Sequence, residues 1–118
     1  MENKVDWMLK RAEVDLRAAM KGKQIPQRMR DGIERYVLYG VPNGGFLDAV
    51  FKDQLSEAFG RADGENQLVM KQYVLLMYND LPVGCWGSKE SVKQWTENGG
   101  LKGLIEKRIE RDQVEVSR

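Results

Sequence analysis

Among the eighteen carboxylates of this 118-residue sequence, Glu57, Asp63 and Glu65 lie near one another, and with the one thiol, Cys85, they are the candidates for acid–base or covalent chemistry. Two carboxylates held at a fixed separation could divide general acid and base work between them, as in a hydrolase. Helix capping and solvation explain the same three residues more simply, and their spacing matches no metal-binding loop. Cys85 has no base beside it in the sequence, and a small buried apolar residue is its plainer role. The chain contains no histidine. That removes the commonest general base, the Ser–His and Cys–His pairs and the commonest metal ligand. One cysteine excludes a multi-cysteine zinc site within the chain, and neither a P-loop nor a helical HExxH pattern occurs. The expectation is a protein with no catalytic residue, no metal and no cofactor.

Binding chemistry has three candidates. Asn43, Gly44 and Gly45 follow Pro42 and lead into a helix. Successive glycine N–H groups at a helix start can hold an anion; a tight corner between two packed helices is the alternative. The corner does not follow a strand, so it is no dinucleotide fingerprint. The second candidate is the turn from Leu55 to Asn66, where Arg61 could fork onto a phosphate or carboxylate near Asn66. Arg61 could equally pair with Glu57 or Asp63 and fix the turn. The third is Cys85-Trp86-Gly87-Ser88. Trp86, in a glycine-flanked loop just before a helix cap at Ser88, could stack on a base, fill a partner's pocket or close the core as a lid.

The elements that must position these residues read as helices. From Glu2 to Lys21, Val5, Met8, Leu9, Ala12, Leu16, Ala19 and Met20 form a continuous amphipathic stripe, and Gly22 ends it. Pro26 is expected in the first turn of a second helix that buries Met29, Ile33, Tyr36 and Val37. Gly40 to Gly45 breaks the chain. A short helix from Phe46 to about Lys52 and another turn or two around Leu55, Ala58 and Phe59 follow. Asp63 is a natural N-cap for a helix from Glu65 to Asn79. That segment is apolar on nearly all sides and is expected to be the central, most buried helix. Ser88 caps a helix from Lys89 to Glu97 that buries Val92 and Trp95. Leu101, Leu104, Ile105 and Ile109 open a last helix whose charged end, 111–118, is expected to fray. The fold class is therefore all-α: a single domain, 1–118, forming a compact bundle of five to seven helices with a central helix near 65–79. Within it, 1–22 is an N-terminal amphipathic helix, 25–101 a core and 102–118 a charged C-terminal helix or tail.

Net charge of +1 gives no global field towards nucleic acid. Locally, Lys10 to Arg30 holds seven basic residues against two acidic ones, including Arg11, Arg17, Arg28 and Arg30. That basic patch could contact phosphates, or it could be a solvated set of helix faces. No run approaches the ~20 apolar residues of a membrane span. The N-terminus, MENKVDWMLK, lacks a signal-peptide run, and the lone cysteine suits a reducing compartment. A cytoplasmic protein with no membrane partner is expected. The stripe of the first helix leaves a homo-oligomer open.

The combination Gly40-Val41-Pro42 with Gly44 to Val50, Leu55 to Ala58, Arg61-Ala62-Asp63 and Glu65-Asn66 resembles a family of short, mostly uncharacterised phage- and prophage-encoded proteins. Leu76, Tyr78-Asn79, Pro82, Cys85 to Ser88, Trp95 and Gly99-Gly100-Leu101 continue the resemblance, which spans about 25–101. It implies a viral accessory protein, non-enzymatic and active inside the host by binding. The leading role it implies is inhibition of a host defence protein. The alternatives are a sponge for a small anionic nucleotide signal, using Asn43 to Gly45, Arg61 and Trp86, and a nucleic-acid-binding regulator using the basic patch.

Overall fold

The Asn3 side chain accepts a hydrogen bond from the Asp6 N–H at 2.8 Å and starts α1, Lys4–Gly22. The structure, a computed structural model, describes the backbone of residues 3–116 and the side chains of 3–113. The parts of the expected terminal segments at 1–2 and 117–118 lie outside the described residues. Seven further helices follow: α2 Gln27–Tyr39, α3 Gly45–Phe51, α4 Leu55–Arg61, α5 Gly64–Leu68, α6 Met70–Asp80, α7 Lys89–Glu97 and α8 Gly100–Val116. The described residues contain no strand. The fold is all-α as expected, with eight helices in place of five to seven.

Two of the three corrections concern helix ends. Pro26 stands one position before α2, with φ −53° and ψ 131°, and does not enter its first turn. The charged segment from Arg111 does not fray at once: α8 runs through Val116, as its leucine, glutamate, lysine and arginine content favours.

The third correction moves the centre of the molecule. The expected helix at 65–79 is two helices, because Val69 leaves the helical region at φ −116° and ψ 21°. It is also one-sided. Met70, Tyr73, Leu76 and Met77 are buried, whereas Leu68 is 88% exposed and Tyr78 73%. A chain this short lacks the core volume to cover every apolar residue. The central helix is α2. Its Ile33, Tyr36, Val37 and Leu38 are all buried to within 2%, with α1 and α8 packed against it.

The core has two parts. The larger gathers Leu16, Met20, Ile25, Ile33, Tyr36 and Phe51 with residues from α6 and α7, and Tyr36 and Phe51 stack at 4.6 Å. The smaller joins Leu9, Leu38 and Ile105, where α1, α2 and α8 meet, and Leu101 touches both. The molecule measures 55 × 28 × 20 Å, with a radius of gyration of 15.3 Å. A compact chain of this length would have about 13.5 Å.

Candidate functional site

Gly40 ends α2 in the left-handed region, φ 72°, and its N–H returns to the Tyr36 carbonyl at 2.9 Å. The chain then turns through Pro42 and Asn43 to Gly44, the N-cap of α3. Arg61, the last residue of α4, lies over Gly45, so a Cβ there would sit 2.6 Å from its Nη1. The structure thus brings two expected site residues, Gly45 and Arg61, together. Arg61 also donates to Glu57 Oε1 at 3.1 Å through Nη2, an exposed pair one helical turn apart. With seven residues, α3 has little dipole to offer an anion.

Asn43 packs against Gly32 of α2: a Cβ on Gly32 would lie 2.9 Å from Asn43 Oδ1. Its amide nitrogen is buried with no hydrogen-bond partner. Such a donor carries a desolvation cost that nothing in the chain repays.

Asp63 and Asn66 form a structural turn. Asp63 Oδ1 accepts the Asn66 N–H at 2.9 Å and caps α5. Arg28 reaches across from α2 to Asp63 and, at 3.1 Å, to Glu65. Asn66 is 3% exposed and its Oδ1 accepts the Tyr73 hydroxyl at 2.7 Å. The backbone N–H of Asn66, with Arg28, holds the Asp63 carboxyl below its ordinary range. A general acid at neutral pH needs the opposite shift. Each carboxylate singled out for chemistry thus has a partner within the fold, and among the described residues no three His, Cys, Asp or Glu cluster as metal ligands. Cys85 is fully buried, and burial pushes its thiol up to about 12.

Trp86 belongs to a different neighbourhood. It is half-buried and meets exposed Tyr78 edge-on at 5.1 Å. Next to it, the Gly87 N–H donates to the Phe51 carbonyl at 2.8 Å. Ser88 caps α7, its Oγ accepting the Ser91 N–H at 3.0 Å.

The basic patch is distributed over several pairings. Arg17 bonds Glu34 at 2.6 Å and Glu13 at 2.5 Å. Arg28 is held at the Asp63 turn, and Arg11 lies 3.7 Å from Asp15. Arg30 donates to the Ile25 carbonyl at 2.8 Å. Acids distant in sequence, Glu34, Asp63 and Glu65, offset part of the local excess.

Two concave surfaces have no signature in the sequence pattern. One, of about 460 Å³, runs between α1 and α8 and is lined by Trp7, Met8, Leu101 and Leu104, with Arg11, Arg108 and Arg111. Trp7 falls off the apolar stripe of α1, and that was its one visible signal. The other, of about 470 Å³, lies between α7 and the corner after α2, lined by Asn43, Phe51 and three lysines, Lys52, Lys89 and Lys93. No spacing rule joins those lysines to Asn43. Among the described residues no helix is long and apolar enough to cross a membrane. No protein-family model, no curated protein and no solved structure matches the chain.

Proposed function

We propose that this chain is a non-enzymatic binding protein whose α1–α8 groove takes an amphipathic helix of a protein partner with an acidic rim. The observation that carries this is Trp7, 60% exposed on one wall of the groove, with Leu104, 49% exposed, among the apolar residues that α8 contributes. Tryptophan and arginine are the residue types that most often dominate protein interfaces. Two helices with an apolar floor form a groove of the kind that receives a third helix. Arg108 and Arg111 line it with no ion-pair partner among the described residues, and Arg11 has only a long, exposed contact to Asp15. That surplus of positive charge selects an acidic partner. The resemblance of 25–101 to phage proteins supplies the setting, antagonism of a host defence protein. The close ion pairs of Arg17 and Arg28 favour this over nucleic-acid binding, because releasing these two to phosphates would break existing contacts.

The test is site-specific photo-crosslinking in host cells, with the probe placed at position 7 or, as a control, at Val83 on the exposed loop. A discrete protein adduct is expected from position 7 alone. Trp7→Ala and Arg108→Glu should each weaken the purified complex at least about tenfold, or ~1.4 kcal/mol, without unfolding the chain. Equal adducts from both positions, or affinity indifferent to both substitutions, would overturn the reading. A dimer of the chain alone, abolished by Trp7→Ala in sedimentation, would assign the groove to a second copy instead.

A further inference from the structure

We propose that the cleft between α7 and the α2–α3 corner binds a small ligand carrying a phosphate group, with Lys89 and Lys93 as its charge partners. This site is independent of the α1–α8 groove. Its volume of about 470 Å³ falls in the range of small-molecule pockets.

The charges facing the cleft are Asp48 and Lys52 of α3, and Lys89, Lys93 and Glu97 of α7. Lys52 is committed to Asp48 at 2.7 Å, one helical turn away. Lys89 and Lys93 have no carboxylate within 4.0 Å among the described residues. They stand four residues apart on α7, so both ammonium groups project from one face. Like charges at that spacing oppose helix formation, and no carboxylate within 4.0 Å relieves them. A phosphate placed between them would do so. Lysine is a compact point charge suited to that group.

Asn43 lines the same cleft and adds a second, separate observation. Its buried amide nitrogen has no acceptor within the protein. That nitrogen is shielded from solvent, so a ligand oxygen would accept its hydrogen bond only once the Asn43 side chain turns into the cleft, and Gly32 is what lets the side chain lie so close to α2. Pro42, Phe51 and Val92 supply apolar lining beside the polar groups. A phosphate carried on a molecule with a flat aromatic ring therefore fits both halves, and a nucleoside monophosphate supplies such a ring as its base. Glu97, the remaining unpaired acid in the lining, disfavours ligands with charge spread along their whole length.

The experiment is titration of the full chain with adenosine monophosphate, adenosine, inorganic phosphate and acetate, followed by amide chemical shifts and calorimetry. Adenosine monophosphate is expected to shift the amides of Asn43, Lys89 and Lys93. It should bind at least about tenfold more tightly than adenosine, and more weakly as salt is raised. The double substitution Lys89→Ala with Lys93→Ala should weaken it at least about tenfold, and Asn43→Asp should abolish it. Lys71→Ala, an exposed lysine on α6, should leave it unchanged. These lysines are exposed, so their removal leaves the core intact, and matched thermal midpoints would verify that. No response to adenosine monophosphate or phosphate, an equal response to acetate, or affinity unaffected by the double substitution would each overturn the proposal.

Discussion

Gly40 and Gly100 meet backbone to backbone where α2 ends and α8 begins. A Cβ on Gly40 would lie 2.7 Å from the Gly100 nitrogen, and one on Gly100 would lie 2.7 Å from both the backbone N and the carbonyl C of Tyr39. Both residues have positive φ, 72° and 68°. The indole of Trp95 closes the same junction, its Nε1–H donating to the carbonyls of Tyr36 at 3.1 Å and Val37 at 3.2 Å. The last turn of the central helix is therefore finished by side chain and backbone from α7 and α8.

Gly100→Ala is expected to be among the most damaging single-atom changes available to this chain. It combines a left-handed backbone that alanine resists with a collision against backbone that has nowhere to move. A loss of about 2–4 kcal/mol is expected in denaturant unfolding. Gly60→Ala is the control. Gly60 is inside α4, with open space where its Cβ would be. It should gain about 0.5–1 kcal/mol from helix propensity. Equal effects at the two positions would refute the close approach.

Tyr73→Phe should cost about 1–3 kcal/mol, because it strips the 2.7 Å hydrogen bond from Asn66 Oδ1 and leaves that oxygen buried and unpaired. A double-mutant cycle with Asn66→Ala should show strong coupling, since the second change removes the orphaned acceptor. Additive effects would return Asn66 to the pool of residues free to meet a ligand.

Sequence periodicity carried the helices well and their environment poorly. Ser88 and Asp63 announced two helix starts because capping is local chemistry, settled within three residues. The break at Val69 was not legible, since neither glycine nor proline stands between Asn66 and Tyr73 to mark it. The local charge count between Lys10 and Arg30 overlooked Glu34, Asp63 and Glu65, which the fold delivers from other elements. Gly45 with Arg61 was half visible: each residue was singled out, and their contact required the packing of α3 on α4. Lys89 and Lys93 gave no signal, because two lysines one turn apart look like any solvated helix face until a cleft is found beside them.

Cys85 should resist thiol reagents throughout the folded pH range. Its side chain is fully buried and its thiol is pushed up to about 12, so the reactive thiolate is scarce at neutral pH. Labelling by a maleimide should proceed at the rate of unfolding and become rapid in denaturant. Fast stoichiometric labelling of the native chain at pH 7 would contradict this burial and reopen a nucleophilic role.

The Asp63 turn sets a pH dependence whose sign follows from its partners. The Asn66 N–H and Arg28 hold the Asp63 carboxyl below its ordinary value, so the folded state favours the ionised form. This contribution to stability is fully present above the unfolded value, near pH ~3.9, and is lost as pH falls through the lower folded value. Asp63→Asn keeps a capping oxygen for Asn66 but cannot pair with Arg28. Its thermal midpoint should therefore lie below that of the unsubstituted chain at pH 7, and the gap should close as the solution is acidified below about pH 4. Added salt should narrow the gap at pH 7, because the Arg28–Asp63 pair is exposed to solvent. Midpoints measured from pH 7 to pH 2 decide the matter. A gap that stays constant across that range would place the source of the effect somewhere other than the charge on Asp63.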